Sequence, residues 1–321
     1  MLDRAVGQER AVKIVQPDRV HDQTNFYGEP QILIQLRHEH IVAVHDAGRM
    51  TNGALYISME YLPDGSVEDR YRGGVAPVAA ALQVISEACR GLEFAHAQGF
   101  IHRDIKPANL LLGGGIARVS DFGLATRVDA QGVASPVGYV AHLASEVIAS
   151  DETSVASDVY ALGVTLYRLL NGDSFLQTSA DLPNGLEAAI LNGDYPDRTR
   201  FREYIHDPLR RVVRKALTVD PDRRTPSAAA LRHDLERVWP RVSWFELAST
   251  SLRRWHGESS RHTFLAEAVK VGAAYTFTIK RRPLAGSAWR RLTGDHASVG
   301  SERDVLRHAA AVLQRLATHG A

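Results

Sequence analysis

The sequence predicts an α+β chain, with strand-like runs at the front, a helical middle, and a second group of strands closed by a helix. Three observations predict it. Short apolar runs at 11–15, 41–46 and 54–60 are broken by turn residues, of which Asn52-Gly53 is the clearest. Between Pro77 and Gln98, the residues Val78, Leu82, Ile85, Ala88, Leu92 and Phe94 recur at helical spacing. Past residue 241 the period returns to two, most clearly in Tyr-Thr-Phe-Thr-Ile-Lys at 275–280, before a helix from Ser301 to Ala317.

Composition bounds the rest. A chain of 321 residues holds one large domain plus a small one, and 45% hydrophobic residues fill a globular core. The net charge of +1 hides an asymmetry: residues 241–321 carry 13 Lys/Arg against 6 Asp/Glu, and residues 1–240 carry 25 against 31. An acidic first part and a basic tail suggest two units. The single Cys89 excludes a disulfide scaffold within the chain and fits a reducing cytosol. No apolar run reaches the roughly 18 residues of a membrane span, and Asp3 and Arg4 make the start unlike a secretory signal. A cytoplasmic location is expected.

The chemistry concentrates at 100–112, Phe-Ile-His-Arg-Asp-Ile-Lys-Pro-Ala-Asn-Leu-Leu-Leu. Moving a phosphoryl group to a hydroxyl needs a carboxylate to orient the hydroxyl, a neutral carbonyl oxygen for a divalent metal, and a cation for the moving charge. Asp104, Asn109 and Lys106 supply these three. Asp121-Phe-Gly follows, and its carboxylate would be the main metal ligand.

This ordered set resembles the catalytic segment of the eukaryotic-like (bacterial-type) serine/threonine protein kinases. Lys106, two residues after Asp104, matches the serine/threonine branch. The resemblance implies a bilobal protein-kinase fold over 1–240, with a small β-rich N-lobe and a large helical C-lobe, and leaves a small C-terminal α+β domain over 241–321. It implies ATP and Mg2+ as cofactors and protein substrates. Asp104 would be the base, Lys106 would stabilise charge, and Asn109 and Asp121 would hold metal. Ala11-Val-Lys13 resembles the strand whose lysine holds the phosphates, with Glu29 as its ion-pair partner. Ala11, the gatekeeper Met59 and Leu111 would surround adenine, and backbone groups of Glu60 and Leu62 would bond its edge. His102 and Phe122 would stack in the column joining the lobes, and Asp158 would cap the loop. Arg224 of Asp220-Pro-Asp-Arg-Arg224 would pair with Glu146.

The chain also departs from the family pattern. Met1 lies only twelve residues before Lys13, so the Gly-rich phosphate hairpin is missing. Either the start is truncated or the lid is truly absent; in the second case a pseudokinase or regulatory binding protein is the alternative. Pro30 directly follows Glu29, so a helix starts or kinks there. In the activation segment Ser135 and Thr126 are the candidate phosphosites, the anion that Arg103 would want. Tyr139 and Ser145 stand where relatives carry Thr and Pro. In the tail, strands are expected at Val242–Leu247, Thr263–Val271, Tyr275–Lys280 and Ala288–Leu292. Its basic groups Lys280-Arg281-Arg282 and Arg290-Arg291 could meet nucleic acid or another acidic partner, or form a solvated basic face. For the tail as a whole a protein partner is expected ahead of nucleic acid.

Overall fold

The computed structural model describes residues 1–3, 7–15, 36–122, 126–127, 140–150 and 152–320. The chain starts with a four-stranded antiparallel sheet, order β1-β2-β4-β3, from β1 (Leu2–Asp3), β2 (Gln8–Val15), β3 (Val44–Arg49) and β4 (Leu55–Glu60). Its register sets Ala11 opposite Met59 and Lys13 opposite Ile57. The apolar run at 41–46 is expected as one strand, but β3 begins only at Val44. Ile41 and Val42 are buried instead against Val119, whose carbonyl accepts from Val42 N at 3.0 Å. Their hydrophobicity serves the seam between the two lobes, not the sheet.

The larger lobe is helical. Ser66 and Asp69 form a reciprocal capping box that starts α1 (Val67–Tyr71). Helix α2 (Val78–Ala97) buries the apolar stripe read from the sequence. It leads through β5 (Phe100–Ile101) to a 3-10 turn at Pro107–Asn109. The hairpin of β6 (Leu110–Gly113) and β7 (Ile116–Val119) turns at Gly114 and Gly115, with φ of 63° and 78°, a region where a Cβ is costly. β8 (Thr126–Arg127) pairs with β5. After α3 (Ser145–Ser150), α4 (Val155–Asn171) runs through the middle of the lobe, buried along most of its length. Gly163 lets it approach the next long helix, since a Cβ there would lie 3.0 Å from Ala216. Around it pack α6 (Asp207–Ala216) and α7 (Ala228–Arg237), while α5 (Gly185–Asn192) packs on α3.

The tail is a six-stranded antiparallel sheet, order β13-β12-β11-β10-β9, with β14 also on β12. Its strands are β9 (Ser243–Leu247), β10 (Arg253–Glu258), β11 (His262–Val271), β12 (Ala274–Pro283), β13 (Arg290–Arg291) and β14 (Ala297–Val299). Helix α8 (Glu302–His319), capped by Ser301, closes it. Three strands differ from expectation, one of them β14, which the sequence did not suggest. β10 is absent from the sequence reading because Arg-Arg-Trp-His-Gly-Glu lacks apolar alternation. The strand expected at 288–292 shrinks to two residues, exposed at the sheet edge. Trp244, Trp255, Phe264 and Phe277 fill the tail core and belong to the same buried apolar cluster as α2 and α4. No helix among the described residues is long and apolar enough to cross a membrane.

Candidate active site

The site is built where the loop after α2 meets the small sheet. Asp158, in the first turn of α4, is fully buried and anchors that loop. It accepts the backbone N–H groups of His102 and Arg103, each at 2.9 Å, and lies 2.8 Å from His96 Nε2 on α2. Burial pushes the Asp158 carboxyl up, but the bonds from His96 and His102 prevail and hold it below the ordinary range. The loop is further fixed by His102, whose Nε2 contacts Ser120 O at 2.9 Å and whose Nδ1 accepts from Asp104 N at 3.2 Å. Burial keeps the His102 imidazole below its usual pKa, so it is neutral near pH 7. His102 and Phe122 meet edge to face, with centroids 4.6 Å apart.

Two side chains converge on one carboxylate. Asp104 is 8% exposed. Lys106 Nζ donates to its Oδ2 at 2.6 Å, and Asn109 Nδ2 donates to its Oδ2 at 2.9 Å and its backbone O at 2.8 Å. With the Asn109 amino group turned to Asp104, the amide oxygen is the atom left to accept from a ligand. Asn109 O in turn holds Ser120, through N–H at 2.9 Å and Oγ at 3.1 Å. This places Asp121 next to Asn109, and its carboxylate lies 2.6 Å from Lys13 Nζ on β2. Arg103 and Asp121 both hold left-handed backbone, φ 72° and 62°, a conformation that non-glycine residues keep only where the surroundings impose it.

Above these groups lies a cavity of ≈ 280 Å3 lined by Ala11, Val12, Lys13, Val42, Met59, Ala108, Asn109, Leu111, Ser120 and Asp121. One side is apolar, and the other gathers an ammonium, an amide and a carboxylate. That shape suits a ligand with an apolar ring at one end and anionic oxygens at the other. The oxygen donors of Asn109 and Asp121 side by side suit a hard divalent cation.

The expected residues are distributed as follows. Ala11, Lys13, Met59, Leu111, Asn109 and Asp121 line this cavity, and Asp104 and Lys106 sit beside it through Asn109. Glu60 and Leu62 are not among the lining residues. Glu60 Oε2 lies 3.5 Å from Arg118 Nε, and buried Leu62 packs on Gly113, where an added Cβ would lie 2.6 Å from Leu62 Cδ2. Glu29, Pro30, Ser135 and Tyr139 lie outside the described residues, and of Thr126 only the backbone is described, in β8. Val12, Val42, Ala108 and Ser120 are lining residues that the sequence reading missed. Three of them adjoin a motif residue, and Val42 carried no signal beyond its apolarity.

Support below the site is equally specific. Arg224, with a fully buried side chain, pairs bidentately with Glu146 at 2.6 and 2.8 Å. It also donates to the carbonyls of Ala156, Thr218 and Val219.

A two-layered lobe pair with an amphipathic cleft between them, and an Asp-Lys-Asn set at its floor, is the architecture of a protein kinase, here an α+β kinase fold. Residues 1–235 match the protein kinase domain family, and the chain belongs to it. Among curated proteins it is similar to the serine/threonine-protein kinase PknB of Mycobacterium leprae, 34% identical over 249 residues, which cover 74% of this chain and 40% of that protein. It is similar to PknJ of Mycobacterium tuberculosis, 34% identical over 237 residues (70% and 40%), and to PknB of Mycolicibacterium smegmatis, 35% identical over 251 (74% and 40%). The chain thus spans about two fifths of the length of these relatives.

Proposed function

We propose that this chain is a serine/threonine protein kinase that transfers the γ-phosphoryl group of ATP to hydroxyl groups of protein substrates, with Mg2+ as the metal. The observation that carries the reading is the Asp104 carboxylate, contacted by Lys106 at 2.6 Å and Asn109 at 2.9 Å beside Asp121. In this role Asp104 orients the acceptor hydroxyl and takes its proton, and Lys106 offsets charge at the moving phosphoryl group. Asn109 Oδ1 and Asp121 hold the metal, which when bound neutralises the phosphate oxygens. Lys13, with Glu29 as its partner, aligns the phosphates. Ala11, Met59 and Leu111 pack on the adenine, and the backbone of Glu60 and Leu62 reads its edge. The kinase unit extends to about residue 240, and residues 241–321 form a small α+β domain whose partner is a protein.

The test is transfer of radiolabel from ATP to the chain itself and to generic protein substrates, with Asp104→Asn as control. The variant should lose about 10²-fold or more in rate while binding nucleotide as the wild type does. Equal transfer by the two would refute the assignment of Asp104.

A further inference from the structure

Helix α2 starts without a cap of its own, because Pro77 precedes it and offers no side-chain hydrogen bond. Ala79 N–H donates instead to Ser243 Oγ at 2.8 Å, 164 residues along the chain, on the first residue of β9. Three residues further, Glu246 pairs with Arg202 of the large lobe. Arg202 in turn bonds Asn171 Oδ1 through its backbone N–H at 3.0 Å, and Asn171 O through Nε at 2.8 Å. Asn171 is the last residue of α4. Glu246 also holds Arg253 at 2.6 Å, and Arg253 Nε lies 3.8 Å from Glu203. From α8, Gln314 Nε2 donates to Glu203 O at 2.6 Å.

The tail therefore grips the start of α2 and the end of α4. The opposite ends of the same two helices carry His96 and Asp158, bonded to each other, and Asp158 also holds the backbone of His102 and Arg103 at the start of the 102–109 loop. Helices of 20 and 17 residues are rods of about 30 and 25 Å, so one pair of rods has the tail at one end and the loop at the other. Between them the apolar core is continuous, joining Trp244 and Trp255 to Leu82, Ile85, Leu169 and Leu170.

We infer that residues 241–317 are a clamp built into the catalytic unit, so that tail and large lobe fold and unfold as one cooperative body, although the family match ends at residue 235. A ligand bound in the cleft then protects the tail as well, by mass action on the shared unfolding equilibrium.

The four tryptophans lie at 239, 244, 255 and 289, so their fluorescence reports the tail and its junction alone. Urea unfolding of the full chain is followed by that fluorescence and, in parallel, by hydrogen exchange of peptides from α2 and α4. One shared midpoint is expected from the two probes, and ATP with Mg2+ should raise both together. Ser243→Ala and Glu246→Gln should lower both, with faster exchange at Ala79, and Ser243→Thr should restore the cap. The clamp is overturned if fluorescence changes at a midpoint of its own. It is equally overturned if Ser243→Ala moves the fluorescence and leaves α2 and α4 exchange as in the wild type. If nucleotide moves neither probe, the ATP-dependent reading of the cleft fails, and the coincidence of midpoints without nucleotide still decides the clamp.

Discussion

Glu146 and Arg224 are 78 residues apart in sequence, yet the pair is among the most enclosed in the chain. The guanidinium has no solvent contact, so its charge is tolerable only because two carboxylate oxygens and three carbonyls surround it. Glu146→Ala should therefore lower stability by about 3–5 kcal/mol, read as a reduced urea midpoint; a loss under 1 kcal/mol would mean that water reaches Arg224. The resemblance to the family's motifs implied this pair. It did not announce how Ser145 replaces the usual proline. Ser145 Oγ donates to Val219 O at 3.0 Å, the carbonyl that Arg224 also holds, so the hydroxyl joins the network. Asp121 shows the opposite limit. Its residue type was legible, but its left-handed backbone, φ 62°, follows from the packing of Ser120 and Phe122 on the loop, which no local pattern encodes.

Among the elements, α2 was legible nearly to the residue because its apolar stripe repeats for five turns. β10 was not. Only Trp255 and Gly257 of its six residues are buried, and the rest are polar or half-exposed. Gly257 is there for space: a Cβ would meet the Trp244 ring at 2.4 to 2.8 Å. Gly257→Ala should cost about 1–3 kcal/mol by overpacking, and pairing it with Trp244→Phe should recover part of that loss. Urea unfolding monitored by circular dichroism checks this, and a neutral Gly257→Ala would show that the ring can shift. β3 fails for the other reason. Its apolar neighbours Ile41 and Val42 have strand composition but belong to the core beneath, a tertiary override of local propensity.

For the whole molecule, buried histidines couple stability to pH. His142 is pushed down to about 3, first by burial and then by the Arg168 guanidinium, whose Nη1 lies 3.1 Å from its Nε2. His102 shifts the same way, through burial. Unfolding returns each ring to about 6.5, so below that pH the unfolded chain binds a proton that the folded chain does not. Stability should be full above about pH 6.5 and fall as pH drops toward 3, at up to about 1.4 kcal/mol per pH unit for His142. His142→Gln should flatten the slope between pH 7.5 and 5.0, measured as urea midpoints; an unchanged slope would show that this ring does not drive it. By itself the sequence determined the family, the α+β class, the long helices and the identity of the polar groups around the cleft, because those follow from periodicity and from ordered short motifs. Tertiary structure alone decided which partners these groups keep, where Ile41 and Val42 are buried, and that the tail grips α2 and α4, because each depends on contacts between residues far apart along the chain.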